Sequence, residues 1–310
     1  MAAIAPHDLT ADVVRSRLRS RRVDGTGTAF KAVLVGAVGL SVLILAVLLY
    51  DVTSQSTSVL SSRFGSFLRG NLGSQPETSG LSQAIRGTFW IGIFVAVLAF
   101  PVGIGAAVYL EEYASKSRFS RFVEVNIRNL AGVPSVVYGI LGLAVFVGTL
   151  RSVTGGRTVI AAGITLAILV LPIVIITASE AIRAVPNGIR EAGFGVGATR
   201  WEVVRSHVLP YAAPGILTGT VLSLARALGE AAPLILVGAI TGFLGGGASY
   251  APTSLDDRFT ALPIVIATWA GRPGEGWTSM TSAAIVVLLV IVLLANTAAI
   301  VLRNRYERNR

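Results

Sequence analysis

Long apolar runs dominate this sequence, and they limit the folds that the chain can adopt. The first covers residues 30–50. A run of about twenty residues is long enough to cross the hydrocarbon core of a bilayer as a helix. Because lipid offers the backbone no hydrogen-bond partners, only helices and closed barrels cross it. We therefore predict an all-α membrane protein with six transmembrane helices. The other five runs lie at about 88–110, 130–150, 158–177, 212–237 and 281–302.

The composition excludes several other classes of protein. Hydrophobic residues make up 53% of the 310 residues and charged residues 14%, as expected for a protein with many membrane spans. The net charge of +10 comes mainly from arginines beside the apolar runs, which favours orientation in a membrane over binding of nucleic acid. The chain has no cysteine, and its two histidines, His7 and His207, are far apart. We therefore predict neither a disulfide nor a metal site.

Proline, glycine and serine mark the boundaries between the runs. Pro101 should kink the second span, and Pro134 lies near the start of the third. Residues 51–80 are rich in Ser and Gly and are expected to form a loop, and residues 116–128 are expected to form a basic loop. The apolar piece 261–270, after a glycine-rich turn, is too short to span, so we expect it to be re-entrant or flat at the interface.

Basic residues are distributed unequally between the two sides of this topology. Eighteen of the 26 Lys and Arg residues fall on the side that holds both chain ends and residues 191–210, and seven fall on the other. Because basic residues are enriched in cytoplasmic segments, both termini are predicted to be cytoplasmic in a plasma membrane protein. The predicted parts are a cytoplasmic basic tail (1–29), a first span (30–50), an extracytoplasmic loop (51–83), a transmembrane domain (84–302) and a cytoplasmic tail (303–310).

Residues 191–210, EAGFGVGATRWEVVRSHVLP, form a polar segment between the fourth and fifth runs. Glu191 is predicted to open a short helix, which a series of glycines ending at Gly197 interrupts. Thr199 and Glu202 have the spacing of a capping box, so a second helix should begin at this point. The segment has no apolar face long enough to enter a bilayer, so it must lie in water or against another protein.

The second helix of this segment carries an aromatic side chain. Trp201 is expected to lie on one side together with Val204 and Val208, because the three have helical spacing. Pro210 then marks the entry to the next apolar run. We predict a compact helix, turn and helix that docks into a socket on another protein.

Two ionisable residues interrupt the fifth apolar run. Arg226 and Glu230 are four residues apart and should project from one helix face. A charge at the centre of a membrane is costly and indicates a functional site. Pro233 should kink the helix beside the pair. The pair can contact an oxyanion or simply hold two helices together, and both roles stay open. Arg183, at the end of the fourth run beside Glu180, also fits ordinary positive-inside flanking.

The segment 191–210 resembles the cytoplasmic loop signature of permease subunits of ATP-binding-cassette importers. That signature is E-A-A, three residues, G, nine residues and I-x-L-P. Gly193 and His207 depart from it, because Ala and Ile are usual there. The resemblance implies the type I importer permease fold and makes this segment the coupling helix, which docks on a separate ATPase subunit. The residues that match in register are Glu191, Ala192, Gly197, Leu209 and Pro210, and the coupling helix would also include Thr199, Trp201 and Glu202.

Four further stretches resemble the permease pair of the phosphate importer, and the likeness extends from about residue 84 to the C-terminus. These stretches are 101–114, 131–143, 226–234 and 261–269. The sequences GEAAPL and AIVLRNRYERNR resemble the PstA-type subunit more than its PstC-type sister, although Ala231 stands where Thr is commoner. The resemblance implies import of inorganic phosphate, with Arg226, Glu230 and Arg183 taking part in transport.

The resemblance also implies the partners. These are a PstC-type sister permease, two copies of a PstB-type ATPase, an extracytoplasmic PstS-type phosphate-binding protein and membrane lipid, with no nucleic acid. The chain has no G-x-x-x-x-G-K-[ST] loop, so ATP and Mg are expected on the partner ATPase and no cofactor is expected on this chain. We therefore predict a transporter subunit without a catalytic residue of its own.

Two alternatives remain open. Residue spacing alone does not separate phosphate from another oxyanion such as sulfate or molybdate. A non-transporting scaffold or a channel belongs to a different class. A channel needs no docking segment, and a scaffold needs no buried arginine at a kink, so the sequence favours an importer over both.

Overall fold

The computed structural model describes residues 25–115, 117–239 and 258–308. The chain divides into two compact units, residues 1–51 and residues 52–310. In the first unit, residues 25–51 are helical and their side chains are exposed. They begin helix α1, Gly25–Arg69. Residues 1–24 of the predicted basic tail, and residues 240–257 with their glycine-rich turn, lie outside the described residues.

The described part of the second unit is built from helices and short connections. Three π-helical turns continue or join them: Tyr109–Tyr113 after α2, Leu143–Thr149 after α4, and Val204–Val208 between α8 and α9. The helices are α2 Ser82–Val108, α3 Arg118–Ala131, α4 Ser135–Gly142, α5 Arg151–Thr154, α6 Val159–Arg183, α7 Asn187–Gly195, α8 Arg200–Val203, α9 Leu209–Gly229, α10 Ala232–Val237, α11 Leu262–Ala270 and α12 Glu275–Arg308.

The predicted all-α membrane architecture is confirmed. Over the described ranges, five helices are long and apolar enough to cross a membrane, and a sixth span results if α3 and α4 with its π turn count as one bent segment. The five are α1, α2 with its π turn, α6, the continuous helix Arg200–Gly229, and α12. The bend between α3 and α4 is 98°.

Helix α6 lies at the centre of the bundle and packs against α2 and α9. Small residues allow this close approach: a Cβ atom added at Gly163 would lie 2.5 Å from Phe94 Cβ, and one at Gly103 would lie 2.6 Å from Val174 Cγ1. A Cβ atom added at Gly219 of α9 would likewise lie too close to Thr177 of α6. Such contacts are typical of helix pairs in membranes, where close van der Waals packing drives association.

The expected loop over residues 51–80 is wrong for its first part, because α1 continues to Arg69. The serines and threonines that indicated a loop donate their hydroxyls to carbonyls three or four residues back, as Ser61 does to Thr57 O at 2.6 Å. Val59 and Phe67 are also buried, so this stretch is held in the helix by packing. The remainder, 70–81, is a loop, and Arg63 donates to its carbonyl groups at Glu77 and Pro76.

The basic segment after the second span is also a helix rather than a loop. Helix α3 begins after Ser117, whose hydroxyl accepts from Ser120 N–H at 3.2 Å and caps the helix. The next helix, α4, begins at Ser135 and not at residue 130, directly after Pro134, whose backbone is extended (φ −56°, ψ 137°). Sequence reasoning recognised the proline but not that an amphipathic helix precedes it.

The fifth span and the short apolar piece at 261–270 begin and end at other residues than predicted. The fifth span is a continuous helix from Arg200 to Gly229, and a break at Glu230 separates it from α10. The short piece predicted at 261–270 is helix α11, which is nine residues long and largely buried. Its Trp269 packs on Trp277 of α12 with ring centroids 5.6 Å apart. The expectation that this piece is re-entrant or flat at the interface stays a prediction.

Candidate functional site

The segment 191–210 forms a helix, a glycine turn and a second helix, as predicted. Gly197 has a φ of +83°, and its N–H donates to Phe194 O at 3.0 Å, so it ends α7 in the left-handed conformation that glycine adopts without strain. The capping box is present. Thr199 Oγ1 accepts from Glu202 N–H at 3.4 Å, and Glu202 Oε2 accepts from Thr199 N–H at 2.7 Å.

Two details of this segment differ from the prediction. Glu191 does not open α7, which begins at Asn187 directly after Pro186. Trp201 does not share the buried side with Val204 and Val208: it is exposed, whereas both valines are fully buried. The buried side of this helix is formed by Val203, Val204 and Val208, and Trp201 lies outside it.

The two departures from the loop signature have local explanations. At Gly193 a Cβ atom would lie 2.7 Å from Val203 Cγ2, so a glycine there allows α7 to pack directly on α8. His207 is exposed, so a polar residue is tolerated in place of an apolar one. Both substitutions are therefore compatible with the same fold of the segment.

An apolar surface is exposed around the glycine turn. We call it the docking patch and define it as Phe194, Val196 and Trp201. Val196 is 84% exposed, and the other two are about half exposed. Exposed aromatic and aliphatic side chains close together in sequence are typical of a protein–protein contact. Glu191, Ala192 and Thr199 are also exposed, whereas Leu209 and Pro210 are partly buried where the segment joins α9.

The segment packs on a rigid base. Val203 and Val208 belong to a buried apolar cluster with Ala107 of α2, Ile182 of α6 and Ile216 of α9. The coupling segment is therefore fixed against the ends of three spans. A force applied to the docking patch would be transmitted to all three, because close-packed interiors deform little.

An ion pair that the sequence analysis did not identify strengthens this base. Arg190 Nη2 lies 2.7 Å from Glu112 Oε1, and the same guanidinium donates to Val185 O at 2.7 Å and to Ile182 O at 3.0 Å. The two side chains are only 18% and 9% exposed. Arg190 thus joins α7 to the end of α2 and to the end of α6. The contact joins residues 78 positions apart, and no local spacing indicates it.

Arg183 lies in a second, more exposed group of charges. Its Nη2 is 2.6 Å from Glu111 Oε1 and 3.3 Å from Glu124 Oε1, and Glu124 also accepts from Arg128 at 3.0 Å. These side chains line a cavity of about 650 Å³ at the base of the coupling segment.

Arg226 and Glu230 lie together, but not as one helix face. Arg226 Nε is 3.6 Å from Glu230 Oε1. Helix α9 ends at Gly229, and Glu230 has an extended backbone (φ −80°, ψ 119°), so the break next to Pro233 is larger than the predicted kink. The Arg226 side chain is 52% exposed and is available to another chain or to a solute.

The structure does not bring all three predicted pathway residues together. Gly215 faces Ala181, and Gly219 faces Thr177, so α6 and α9 run in opposite directions side by side. With a rise of about 1.5 Å per residue, Arg226 and Arg183 are about 20 Å apart along the bundle. Arg183 is bound by carboxylates beside segment 191–210, whereas Arg226 lies in the last turn of α9, at the opposite end of that helix.

Comparison with known proteins identifies relatives over most of the chain. Residues 99–308 match the family described as binding-protein-dependent transport system inner membrane component. The phosphate transport system permease protein PstA 1 of Mycobacterium tuberculosis is 32% identical over 76% of this chain and 74% of that protein. The probable ABC transporter permease protein YqgI of Bacillus subtilis is 33% identical over 52% of this chain, and the match spans about half (54%) of its length.

Solved structures show the same fold. A bacterial alginate ABC transporter, solved with an alginate-bound periplasmic protein, superposes with a TM-score of 0.61 at 17% identity, over 91% of this chain and 96% of that chain. The methionine ABC transporter MetNI superposes with a TM-score of 0.52 at 20% identity, over 73% and 94% of the two chains. The predicted type I importer permease fold is therefore confirmed.

Proposed function

Because the chain belongs to the family of inner membrane components of binding-protein-dependent transport systems, we propose that it is a permease subunit of an ATP-driven importer of inorganic phosphate. The solute rests on the phosphate transport permeases that are about 32% identical over roughly three quarters of both chains. The proposed coupling to ATP is supported by a structural observation. The exposed apolar patch lies on a segment that is fixed to the ends of three spans.

The subunit composition follows from this function. The chain would form the pathway with a PstC-type sister permease, and two copies of a PstB-type ATPase would bind ATP and Mg. A PstS-type protein would deliver phosphate from outside. The excess of basic residues beside 191–210 supports a cytoplasmic location for the docking patch and for both termini. The exposed Arg226 would face the pathway between the two permeases.

The geometry leads to a mechanism of coupling. ATP-driven closure of the two ATPases moves the docking patch, and the rigid base carries this movement into α2, α6 and α9. These helices then open the pathway to the outside, where phosphate is received. After hydrolysis the reverse movement opens the pathway to the cytoplasm. Arg226, held by Glu230 beside a break in its helix, offers a charge-assisted hydrogen bond to the phosphate anion on its way.

The proposed function is tested by reconstitution. The chain and its sister permease are placed in vesicles with the ATPase inside and the binding protein outside, and uptake of radioactive phosphate is measured. We expect uptake that requires ATP and that excess phosphate blocks but excess sulfate or molybdate does not. Uptake blocked by sulfate or molybdate instead would identify another oxyanion. Uptake without the ATPase would contradict the whole proposal.

The Arg190–Glu112 ion pair should be needed for coupling. Arg190→Lys keeps the charge but loses the paired geometry of the guanidinium, so we expect fewer phosphate ions imported per ATP hydrolysed, by about tenfold if one charged hydrogen bond is lost. The same ratio is measured for Arg121→Lys, an exposed arginine in α3, as the matched control. An unchanged ratio in Arg190→Lys would restrict this ion pair to a stabilising role.

A further inference from the structure

Helix α3, Arg118–Ala131, has an exposed apolar side that the coupling mechanism does not use. Phe119 is 74% exposed and Phe122 is 63% exposed, and Leu130 is also exposed. The helix has no buried residue. Its partly buried positions follow helical spacing and mark the side that faces the protein; they are Ser120, Val123, Glu124, Ile127 and Ala131. The two phenylalanines therefore point away from the chain.

The orientation of α3 about its axis is fixed by charge. Glu124, on the protein side, accepts from Arg183 of α6 at 3.3 Å and from Arg128 at 3.0 Å. Rotating α3 to bury its phenylalanines would break the contact with Arg183. The exposure of the apolar side thus follows from an ion pair to the central span.

The direction of α3 relates it to the membrane. The chain turns by 98° between α3 and the apolar segment Ser135–Thr149, which is α4 with its π turn. Spans are tilted by only about 20° from the bilayer normal on average, so α3 runs nearly in the plane of the membrane. Val137 and Ile140 of α4, directly after this bend, are exposed apolar side chains as well.

We propose that α3 lies in the interface of the lipid bilayer, with Phe119 and Phe122 inserted at the boundary between headgroups and acyl chains. Aromatic side chains on one side and arginines on the other are typical of interfacial helices. Arg118 and Arg121 are exposed and can reach lipid phosphates or water, whereas Arg128 is paired with Glu124. The one polar residue between the apolar positions, Asn126, donates its amide to Phe122 O at 2.8 Å, which lowers the cost of placing it near lipid.

A lipid contact here has a consequence for transport. Because α3 binds Arg183 at the base of the coupling segment, a helix held at the membrane surface gives the moving segment a stationary neighbour. This consequence rests on the proposed function. The lipid contact itself rests only on the membrane fold.

Spin labels test the lipid contact directly, and the absence of cysteine from the chain makes single labels simple. Phe119→Cys, Phe122→Cys and the control Arg121→Cys are labelled with a nitroxide in the complex reconstituted in phosphatidylcholine–phosphatidylglycerol vesicles. Collision rates with oxygen, which concentrates in lipid, and with a water-soluble nickel chelate are measured. We expect the oxygen-to-nickel ratio to be at least about threefold higher at 119 and 122 than at 121, as for a face inserted in the interface.

Two outcomes would overturn the proposal. Equal ratios at all three positions would place the phenylalanines in water. Low collision rates with both reagents at 119 and 122 would show that another protein chain covers them. A label at Leu141, in the adjoining span, gives the value for lipid and shows that the complex is inserted. Because no phosphate is transported in this measurement, the result is independent of the solute assignment.

Discussion

Replacing Arg226 with Gln is expected to abolish phosphate uptake while the complex still assembles. The side chain lies in a long apolar helix next to a backbone break, and its only charged contact in the described residues is Glu230 at 3.6 Å. Loss of a charge-assisted hydrogen bond of about 1.5–3 kcal/mol would reduce uptake by about 10- to 100-fold. Uptake of radioactive phosphate into vesicles measures the effect, and gel filtration of the purified complex measures assembly.

The controls separate transport from structure. Arg303→Gln removes an arginine near the C-terminal end of α12, which bonds Thr218 Oγ1 at 3.2 Å, and should leave uptake unchanged. Arg226→Lys keeps a positive charge and should retain part of the activity. If Arg226→Gln assembles and imports phosphate at the normal rate, the pair only holds the helix break together.

Replacing Val196 with Asp is expected to remove the ATPase from the purified complex. Val196 is the most exposed residue of the docking patch, so a charge there leaves the fold of the chain intact but prevents an apolar contact. A central contact of about 2 kcal/mol corresponds to about 30-fold weaker association. Trp201→Ala should have a similar effect. Quantitative co-purification of the ATPase with the tagged permease measures both.

A matched change at the other end of the bundle is the control for this result. Val153 is also highly exposed, and it lies beside the start of α6, whereas the docking patch lies beyond the end of that helix. Val153→Asp should therefore retain the ATPase. Gly197→Val should release it, because a β-branched residue does not tolerate a φ of +83°. If Val196→Asp retains the ATPase as well as Val153→Asp does, the patch is not the docking surface.

The sequence predicted the spans and the helix, turn and helix of residues 191–210 well because their signals are local. Apolar runs of membrane-crossing length, the capping box of Thr199 and Glu202, and the turn at Gly197 each depend on a few neighbouring residues. Pro233 likewise indicated that the helix is disturbed beside Glu230. These features survive in the structure because local preference and tertiary packing favour the same conformation.

The errors arose where distant packing decides the conformation. Serines at 51–69 favour loops in isolation, yet burial of Val59 and Phe67 holds them in a helix. The Arg190–Glu112 pair depends on how the end of α2 meets α7, and only the folded chain shows this. The separation of about 20 Å between Arg183 and Arg226 likewise depends on the direction of two packed helices, and the place of both residues in the pathway stays a prediction. The exposure of Trp201 depends on which side of its helix packs on the bundle, and helical spacing alone does not show this.

The helix from Arg200 to Gly229 is continuous, and it carries Trp201 of the docking patch near one end and Arg226 near the other. These two positions are about 37 Å apart at a rise of about 1.5 Å per residue. If the helix pivots where Gly219 meets Thr177, a small tilt of its exposed end displaces the guanidinium in the opposite direction. One rigid rod would then both sense the nucleotide state of the ATPase and set the distance between the charged pair and the anion, with no further relay between them.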